Sequence, residues 1–114
     1  MTKSPDITMW IKLEVAGAGE IGPGKIGLLT RIREHGSISA AARSMQMSYR
    51  RAWQLVDELN HLLGEPLVET HIGGRSRGGA QLTPLGTAVI DRYAAIVQRA
   101  SDTCRGLLTK FPQA

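Results

Sequence analysis

The stretch GSISAAARSMQMSYRRAWQLVDELN, residues 36–60, decides the fold of this chain. Ser37 or Ser39 can cap a short, alanine-rich helix, and a brief turn follows at residues 46–47. Ser48 can cap a second helix, in which the apolar residues recur at the spacing of a single helical stripe. The residues of that stripe are Ala52, Leu55, Val56, Leu59, Leu62 and Leu63.

Two helices joined by a tight turn over residues 37–63 predict a helix-turn-helix. The second helix of such a pair fits the major groove of DNA and presents side chains near its N-terminus to the base edges. Arginine can hydrogen-bond guanine through two parallel bonds, glutamine can do so with adenine, and hydroxyl groups can donate to phosphates. The candidate DNA-binding residues at the start of this helix are therefore Ser48, Tyr49, Arg50, Arg51 and Gln54.

Two further elements are predicted before the helix-turn-helix. Apolar and other residues alternate over residues 7–16, which predicts a strand with one buried face. The glycine-rich residues 17–24 are interpreted as a breaker, a segment that interrupts regular secondary structure. Pro23 suits the first turn of a helix, and Gly36 suits the position after its end, so a helix is predicted over 23–35.

A β-hairpin is predicted over residues 66–83, directly after the helix-turn-helix. Its tip, GGRSRGG at 73–79, carries Arg75 and Arg77 with no acidic residue nearby. Glycines let the backbone approach phosphates, and arginines release counterions from DNA. The arginines of the second helix could by themselves belong to an ordinary solvated face. A basic hairpin tip in the position of a wing favours the DNA-binding interpretation instead.

A long final helix is predicted over residues 84–108, with Thr83 as its cap and Pro84 in its first turn. Residues at alternating spacings of four and three along it form a seam typical of a helix that pairs with another helix. The seam residues are Val89, Tyr93, Ile96, Ala100, Thr103 and Leu107. We therefore expect one domain over residues 1–114, of the α+β class and mainly α: a winged helix-turn-helix with a C-terminal dimerisation helix.

Composition limits the classes of protein that the chain can belong to. Its 114 residues are too few for a fold such as the TIM barrel, which needs about 250 residues. No apolar run approaches the roughly 20 residues that span a membrane, so no membrane partner is expected. The single cysteine, Cys104, fits a reducing cytoplasm. The net charge of +4 is weak evidence for a polyanionic partner, and the positions of the charges are more informative.

Three glycine motifs match enzyme patterns without the structural context that those enzymes need. Residues 17–22 and 22–27 both spell GxGxxG, but the dinucleotide fold needs a second parallel strand where two helices are predicted here. Residues 74–78 spell GxSxG, but they lie in a hairpin tip with no histidine after them. His35, His61 and His71 are not grouped at metal-binding spacing. We therefore expect no catalysis, no cofactor and no metal.

Residues 36–60 and LVETHIGGRSRGGAQLTPLGTAVIDRY, residues 67–93, resemble the N-terminal winged helix of the molybdate-responsive ModE-type regulators. LysR-type regulators share the helix-turn-helix and the LTPLG helix start. The resemblance implies that the last helix pairs with that of a second subunit, and that Trp53 supports the recognition helix. The residues that it implies would face operator DNA are Ser39, Ser48, Tyr49, Arg50, Arg51, Arg75 and Arg77. Full-length members also carry oxyanion-binding domains, so we expect this chain to lack the molybdate-binding part.

These observations predict a sequence-specific, DNA-binding transcriptional regulator that acts in the cytoplasm as a homodimer. A twofold dimer would place its recognition helices about one DNA turn apart, roughly 34–36 Å, on a near-palindromic operator. The main alternative is a protein-interaction module that uses the same winged helix to bind a partner chain. Salt-dependent binding to duplex DNA would distinguish the two. An enzyme is a more distant alternative.

Overall fold

The computed structural model describes residues 6–71 and 78–113, and this part of the chain forms four helices and two short antiparallel hairpins. In chain order the elements are β1 (Leu13–Val15), β2 (Gly19–Ile21), α1 (Pro23–His35), α2 (Ile38–Ser44), α3 (Tyr49–Asn60), β3 (Val68–His71), β4 (Gly79–Leu82) and α4 (Pro84–Thr109). This architecture confirms the predicted α+β class, mainly α, with a winged helix-turn-helix and a long C-terminal helix.

The main core lies where α1, α2 and α3 pack together with the wing strands. Leu28, Leu29 and Ile32 of α1 are fully buried and face Ala41 of α2 and Leu59 of α3 in this core. Alanine side chains on α2 let the helix axes approach closely, and the larger leucines fill the space on either side. The first four residues of the predicted stripe, Ala52, Leu55, Val56 and Leu59, therefore form the inner wall of the helix-turn-helix. The last two are not part of it, because they lie beyond the end of α3, and Leu63 is exposed.

The ends of the helices are set by the predicted kind of capping, which involves residues close to each other in the sequence. The helix over 23–35 is confirmed residue for residue, and Gly36 adopts the left-handed conformation, with φ of 74°, after its end. Ser37, not Ser39, caps α2 by accepting from the Ala40 N–H at 3.0 Å. Ser48 caps α3, and between the two helices Gln46 takes a positive φ of 54° that completes the tight turn.

The helix-turn-helix ends earlier than residue 63, since α3 stops at Asn60. The Asn60 side chain explains the early end. Its Oδ1 accepts from the N–H groups of Leu67 and Val68 at 2.9 and 3.0 Å, and its Nδ2 donates to the Val68 carbonyl at 3.2 Å. This clamp fixes the start of the wing against α3, and the turn after Asn60 directs Leu62 into a second cluster with Ile21.

The strand predicted over residues 7–16 is wrong in length, because only Leu13–Val15 pair with another strand. Their partner is β2, which lies inside the stretch interpreted as a breaker. The alternation itself is real: from Ile7 to Val15 every second side chain is partly buried. Residues 7–12 have no neighbouring strand and instead run along α4, where the Tyr93 hydroxyl donates to the Ile11 carbonyl at 2.6 Å.

The predicted hairpin is present, with β3 and β4 paired from Val68 opposite Leu82 to His71 opposite Gly79. The stem is joined to the helices by backbone bonds: the Ala80 N–H donates to the Gly36 carbonyl at 2.8 Å. At the other end, the Thr83 N–H donates to the Leu67 carbonyl at 2.9 Å. Val68 and Ala80 of the stem therefore belong to the core, while the predicted tip residues Arg75 and Arg77 lie outside the described residues.

The long helix α4 begins at the predicted cap, Thr83, which accepts from the Gly86 N–H at 3.0 Å. The seam predicted on α4 divides into two parts. Tyr93 is only 8% exposed and packs with Ile21 and Leu62 of the same chain, so the prediction that it faces another helix is wrong. The β1–β2 hairpin covers that part of the helix. Further along, Leu107 is 75% exposed.

The described part of the chain extends 61 Å along its longest axis. A helix of 26 residues accounts for about 39 Å of this length, at 1.5 Å per residue. Among the residues that the structure describes, no helix is long and apolar enough to cross a membrane.

The Tyr93→Phe variant is expected to lower the free energy of unfolding by about 1 kcal/mol at neutral pH, because the Ile11 carbonyl loses its donor. Burial raises the pKa of the Tyr93 hydroxyl above its ordinary value of 10. The stabilisation is therefore complete below about pH 10 and is lost as the pH rises through the raised pKa. Urea unfolding of both proteins between pH 7 and 11 measures the difference.

The control for this prediction is Tyr49→Phe, which removes a hydroxyl from a ring that is 56% exposed and should change the stability little. A difference between the wild type and Tyr93→Phe that stays constant up to pH 11 would contradict the assigned role of the Tyr93 hydroxyl.

Candidate nucleic-acid interface

The outward face of α3 carries the candidate DNA-binding residues that the sequence predicted on this helix. The inward face is buried through Ala52, Leu55, Val56 and Leu59. Every predicted contact residue on the helix itself is exposed, together with Trp53. These exposed residues are Tyr49, Arg50, Arg51, Trp53 and Gln54. The structure therefore places them on one continuous surface that the core does not occupy.

The two predicted serines also take part in the local structure. The Ser48 Oγ accepts from the Arg51 N–H at 3.0 Å as the cap of α3. The Ser39 Oγ accepts from the Arg43 guanidinium at 3.0 Å on the half-exposed start of α2. Because both hydroxyl oxygens act as acceptors in these bonds, each O–H group can still donate to a further acceptor such as a phosphate oxygen.

Charge is separated along α3. From Arg43 to Gln54 there are three arginines and no acidic residue. The acids of α3 follow in its second half: Glu58 lies 3.1 Å from the Lys25 ammonium, and Asp57 lies 3.6 Å from the His61 ring. The basic start of α3 therefore has no carboxylate within its own sequence to oppose an incoming phosphate.

An aromatic pair occupies the same surface. The rings of Tyr49 and Trp53, one helical turn apart, meet edge to face with centroids 6.1 Å apart and an interplanar angle of 82°. Tyr49 is 56% exposed and Trp53 is 39% exposed. Trp53 thus lies beside Tyr49 on the outer surface, where it holds the first ring of the helix in place.

A cleft of about 340 Å³ lies between the start of α2, the aromatic pair and the stem of the wing. Its polar lining comes from the hydroxyls of Ser39 and Thr70 and from the imidazole of His71. The remaining lining residues are Ile38, Tyr49, Trp53, Gly78, Gly79 and Ala80. The cleft brings the predicted residues Ser39 and Tyr49 together with the wing.

Sequence reasoning missed three residues at this surface: Arg43, Thr70 and His71. Arg43 is exposed and one turn from Ser39, and it was visible in the sequence as the first arginine of the acid-free stretch. Thr70 and His71 gave no comparable signal, because their approach to α3 depends on how the hairpin folds back. Within residues 6–71 and 78–113, no three histidine, cysteine, aspartate or glutamate side chains form a group that could hold a metal ion.

Residues 25–87 match the family model described as bacterial regulatory helix-turn-helix protein, lysR family. The chain is 45% identical over 86 residues to the molybdenum-pterin-binding protein MopA of Rhodobacter capsulatus, a match that covers 75% of this chain and 32% of MopA. It is 42% identical over 83 residues to the DNA-binding transcriptional dual regulator ModE of Escherichia coli K12, which covers 70% of this chain and 32% of that regulator.

A third relative is the molybdenum transport protein ModE of Azotobacter vinelandii, 43% identical over 72 residues that cover 63% of this chain and 27% of the relative. The chain thus spans about a third of the length of the curated relatives that it matches. The resemblance to ModE-type regulators is confirmed over the matched residues. With the family model covering the whole helix-turn-helix and the wing, the chain belongs to the lysR family of bacterial regulatory helix-turn-helix proteins.

Proposed function

We propose that this chain binds duplex DNA sequence-specifically and regulates transcription in the bacterial cytoplasm. The observation that carries the proposal is the exposed start of α3, which follows a tight turn and presents arginines without a neighbouring acid. Related proteins that match this region include transcriptional regulators, which supports the same conclusion. The proposed contact residues are Ser39, Ser48, Tyr49, Arg50, Arg51 and Gln54, with Arg75 and Arg77 at the wing tip.

The positions of the exposed residues suggest which of them contact base edges and which contact the phosphate backbone. Arg50 and Gln54 are one turn apart and lie opposite the buried stripe, so they would point at the base edges when α3 enters the major groove. Arg51 lies seven residues before Glu58, on the flank that faces α1. Ser39 and Arg43 at α2 are suited to the phosphate backbone beside the groove.

We further propose that α4 forms the interface of a homodimer. The seam residues that follow Tyr93 are Ile96, Ala100, Thr103 and Leu107. Ile96 and Ala100 are half-buried, while Leu107 keeps 75% of its surface exposed on a helix that projects beyond the core. A twofold axis across this seam would produce two recognition helices and a near-palindromic operator.

Selection of bound sequences from a library of random duplexes tests the DNA-binding proposal. The expected result is a motif with two inverted half-sites about 10 base pairs apart, bound with an affinity that falls steeply with salt. Absence of binding at low salt would overturn the proposal and favour the protein-interaction module. A motif with a single half-site would retain DNA binding and argue against the dimer.

The Leu107→Glu variant is expected to dissociate the dimer into monomers, because it places a carboxylate where the seam requires an apolar contact. Sedimentation at micromolar concentration measures the change. Ala95→Glu is the matched control, since Ala95 is exposed on the same helix but away from the seam. Equal dissociation in both variants, or in neither, would contradict the proposed interface.

A further inference from the structure

The exposed start of α3 is divided lengthwise into two chemically different edges. Tyr49 and Trp53 form an aromatic edge that borders the cleft beside the wing. Arg50 and Gln54, each one position later, form a polar edge. A recognition helix that used only hydrogen bonds and charge would need no aromatic edge, so this edge requires its own explanation.

The aromatic edge is both exposed and well fixed. The edge-to-face contact restrains both rings, and the cleft walls cover part of Trp53, which leaves Tyr49 as the more exposed ring of the two. The two adjacent rings, with Arg50 and Gln54 beside them, leave apolar surface in water that a partner can bury. Its natural partner is another apolar group that becomes buried against it.

The floor of the major groove offers one such group. Guanine, cytosine and adenine present hydrogen-bond donors and acceptors there, whereas thymine also presents its 5-methyl group. An aromatic edge that enters the groove beside Arg50 would meet the bases flanking the base pair that Arg50 reads. The acid-free stretch from Arg43 to Gln54 favours a polyanion as the partner, as opposed to an apolar protein surface.

We propose, on the basis of the DNA-binding function above, that the aromatic edge recognises the 5-methyl group of a thymine in each half-site. The Tyr49 ring makes the contact, and Trp53 is a positioning residue that holds this ring. The thymine lies next to the base pair read by the polar edge, on the side of the wing.

Replacement of single thymines by uracil in the selected duplexes tests the proposal, because uracil lacks only the methyl group. At one position in each half-site, uracil is expected to weaken binding about fourfold, the factor for burying one methyl group. Tyr49→Gln removes the ring and puts a polar side chain that favours the helix in its place, so it should bind both duplexes equally. Tyr49→Phe should still discriminate, because the ring is kept.

The variants separate the proposal from its alternatives. Arg50→Ala should weaken binding to the thymine and uracil duplexes by the same factor, and Trp53→Phe should keep more of the discrimination than Trp53→Ala. Thermal unfolding of each variant checks the fold. Equal wild-type binding of the two duplexes at every position would overturn the proposal, as would a loss of discrimination in Tyr49→Phe. If no duplex is bound at all, the proposed function itself fails.

Discussion

The Gly86→Ala variant is expected to lose about 3 kcal/mol of its free energy of unfolding, which is a large part of the total stability of a small domain. A Cβ at this position would lie 2.3 Å from the Leu67 carbonyl oxygen and 3.2 Å from its carbon. The clash is with backbone, so no side-chain rotation relieves it. Gly86 is needed because the first turn of α4 packs directly on the chain that enters the wing.

The Leu67 peptide is also held in place from other directions. Its N–H donates to the Asn60 side chain at 2.9 Å, its carbonyl accepts from the Thr83 N–H at 2.9 Å, and its side chain is fully buried. A shift of this peptide would therefore break the Asn60 clamp and the start of α4 together. This coupling is the reason for expecting a penalty at the upper end of those seen for overpacked sites.

Gly106→Ala is the matched control, because Gly106 lies in the same helix with open space where its Cβ would be. That variant should gain about 0.5–1 kcal/mol from the better helix propensity of alanine. Urea unfolding of both variants measures the contrast. Similar stability in the two variants would show that α4 can move away from Leu67.

The Arg50→Ala/Arg51→Ala double variant is expected to bind its selected duplex at least about 30-fold more weakly, since each arginine at the start of α3 contributes about 1–3 kcal/mol, or at least about 2 kcal/mol for the pair. Both side chains are exposed and lie outside the buried stripe, so the fold should be kept. Fluorescence anisotropy of a labelled duplex, with a scrambled duplex alongside, measures affinity and specificity together.

The Arg92→Ala/Arg99→Ala variant removes the same charge from exposed positions on α4 and serves as the control. Its affinity should fall much less. The salt dependence adds a second readout: loss of base contacts leaves the slope nearly unchanged, whereas loss of phosphate contacts reduces it by about one per residue. Unchanged binding by the Arg50→Ala/Arg51→Ala variant would contradict the assignment of α3 as the recognition helix.

Features set by residues within about one helical turn were predictable from the sequence. Pro23 and Gly36 define α1 correctly, and Ser48 and Thr83 act as the predicted caps. The exposed positions of Arg50 and Gln54 follow from the spacing of the buried residues in the same helix. In each case the decisive hydrogen bond or helical phase involves near neighbours, so the local sequence contains the information.

Contacts between residues distant in the sequence were not predictable in the same way. The segment over 7–12 alternates like a strand, but it has no neighbouring strand. Its Ile11 carbonyl instead accepts a hydrogen bond from the Tyr93 hydroxyl, 82 positions later in the sequence. The sequence around Asn60 does not indicate that its side chain binds the start of the wing. The sequence around Gly86 does not indicate that the Leu67 carbonyl packs against it.

The candidate interface shows the same division. The sequence by itself determined the helix with the basic start, its caps and the order of helix-turn-helix and wing, because periodicity and capping act locally. Only the tertiary structure decided that Ser39, Thr70 and His71 meet the Tyr49–Trp53 pair around one cleft. Those juxtapositions depend on how α2, α3 and the hairpin pack on a shared core, and packing is a property of the whole chain.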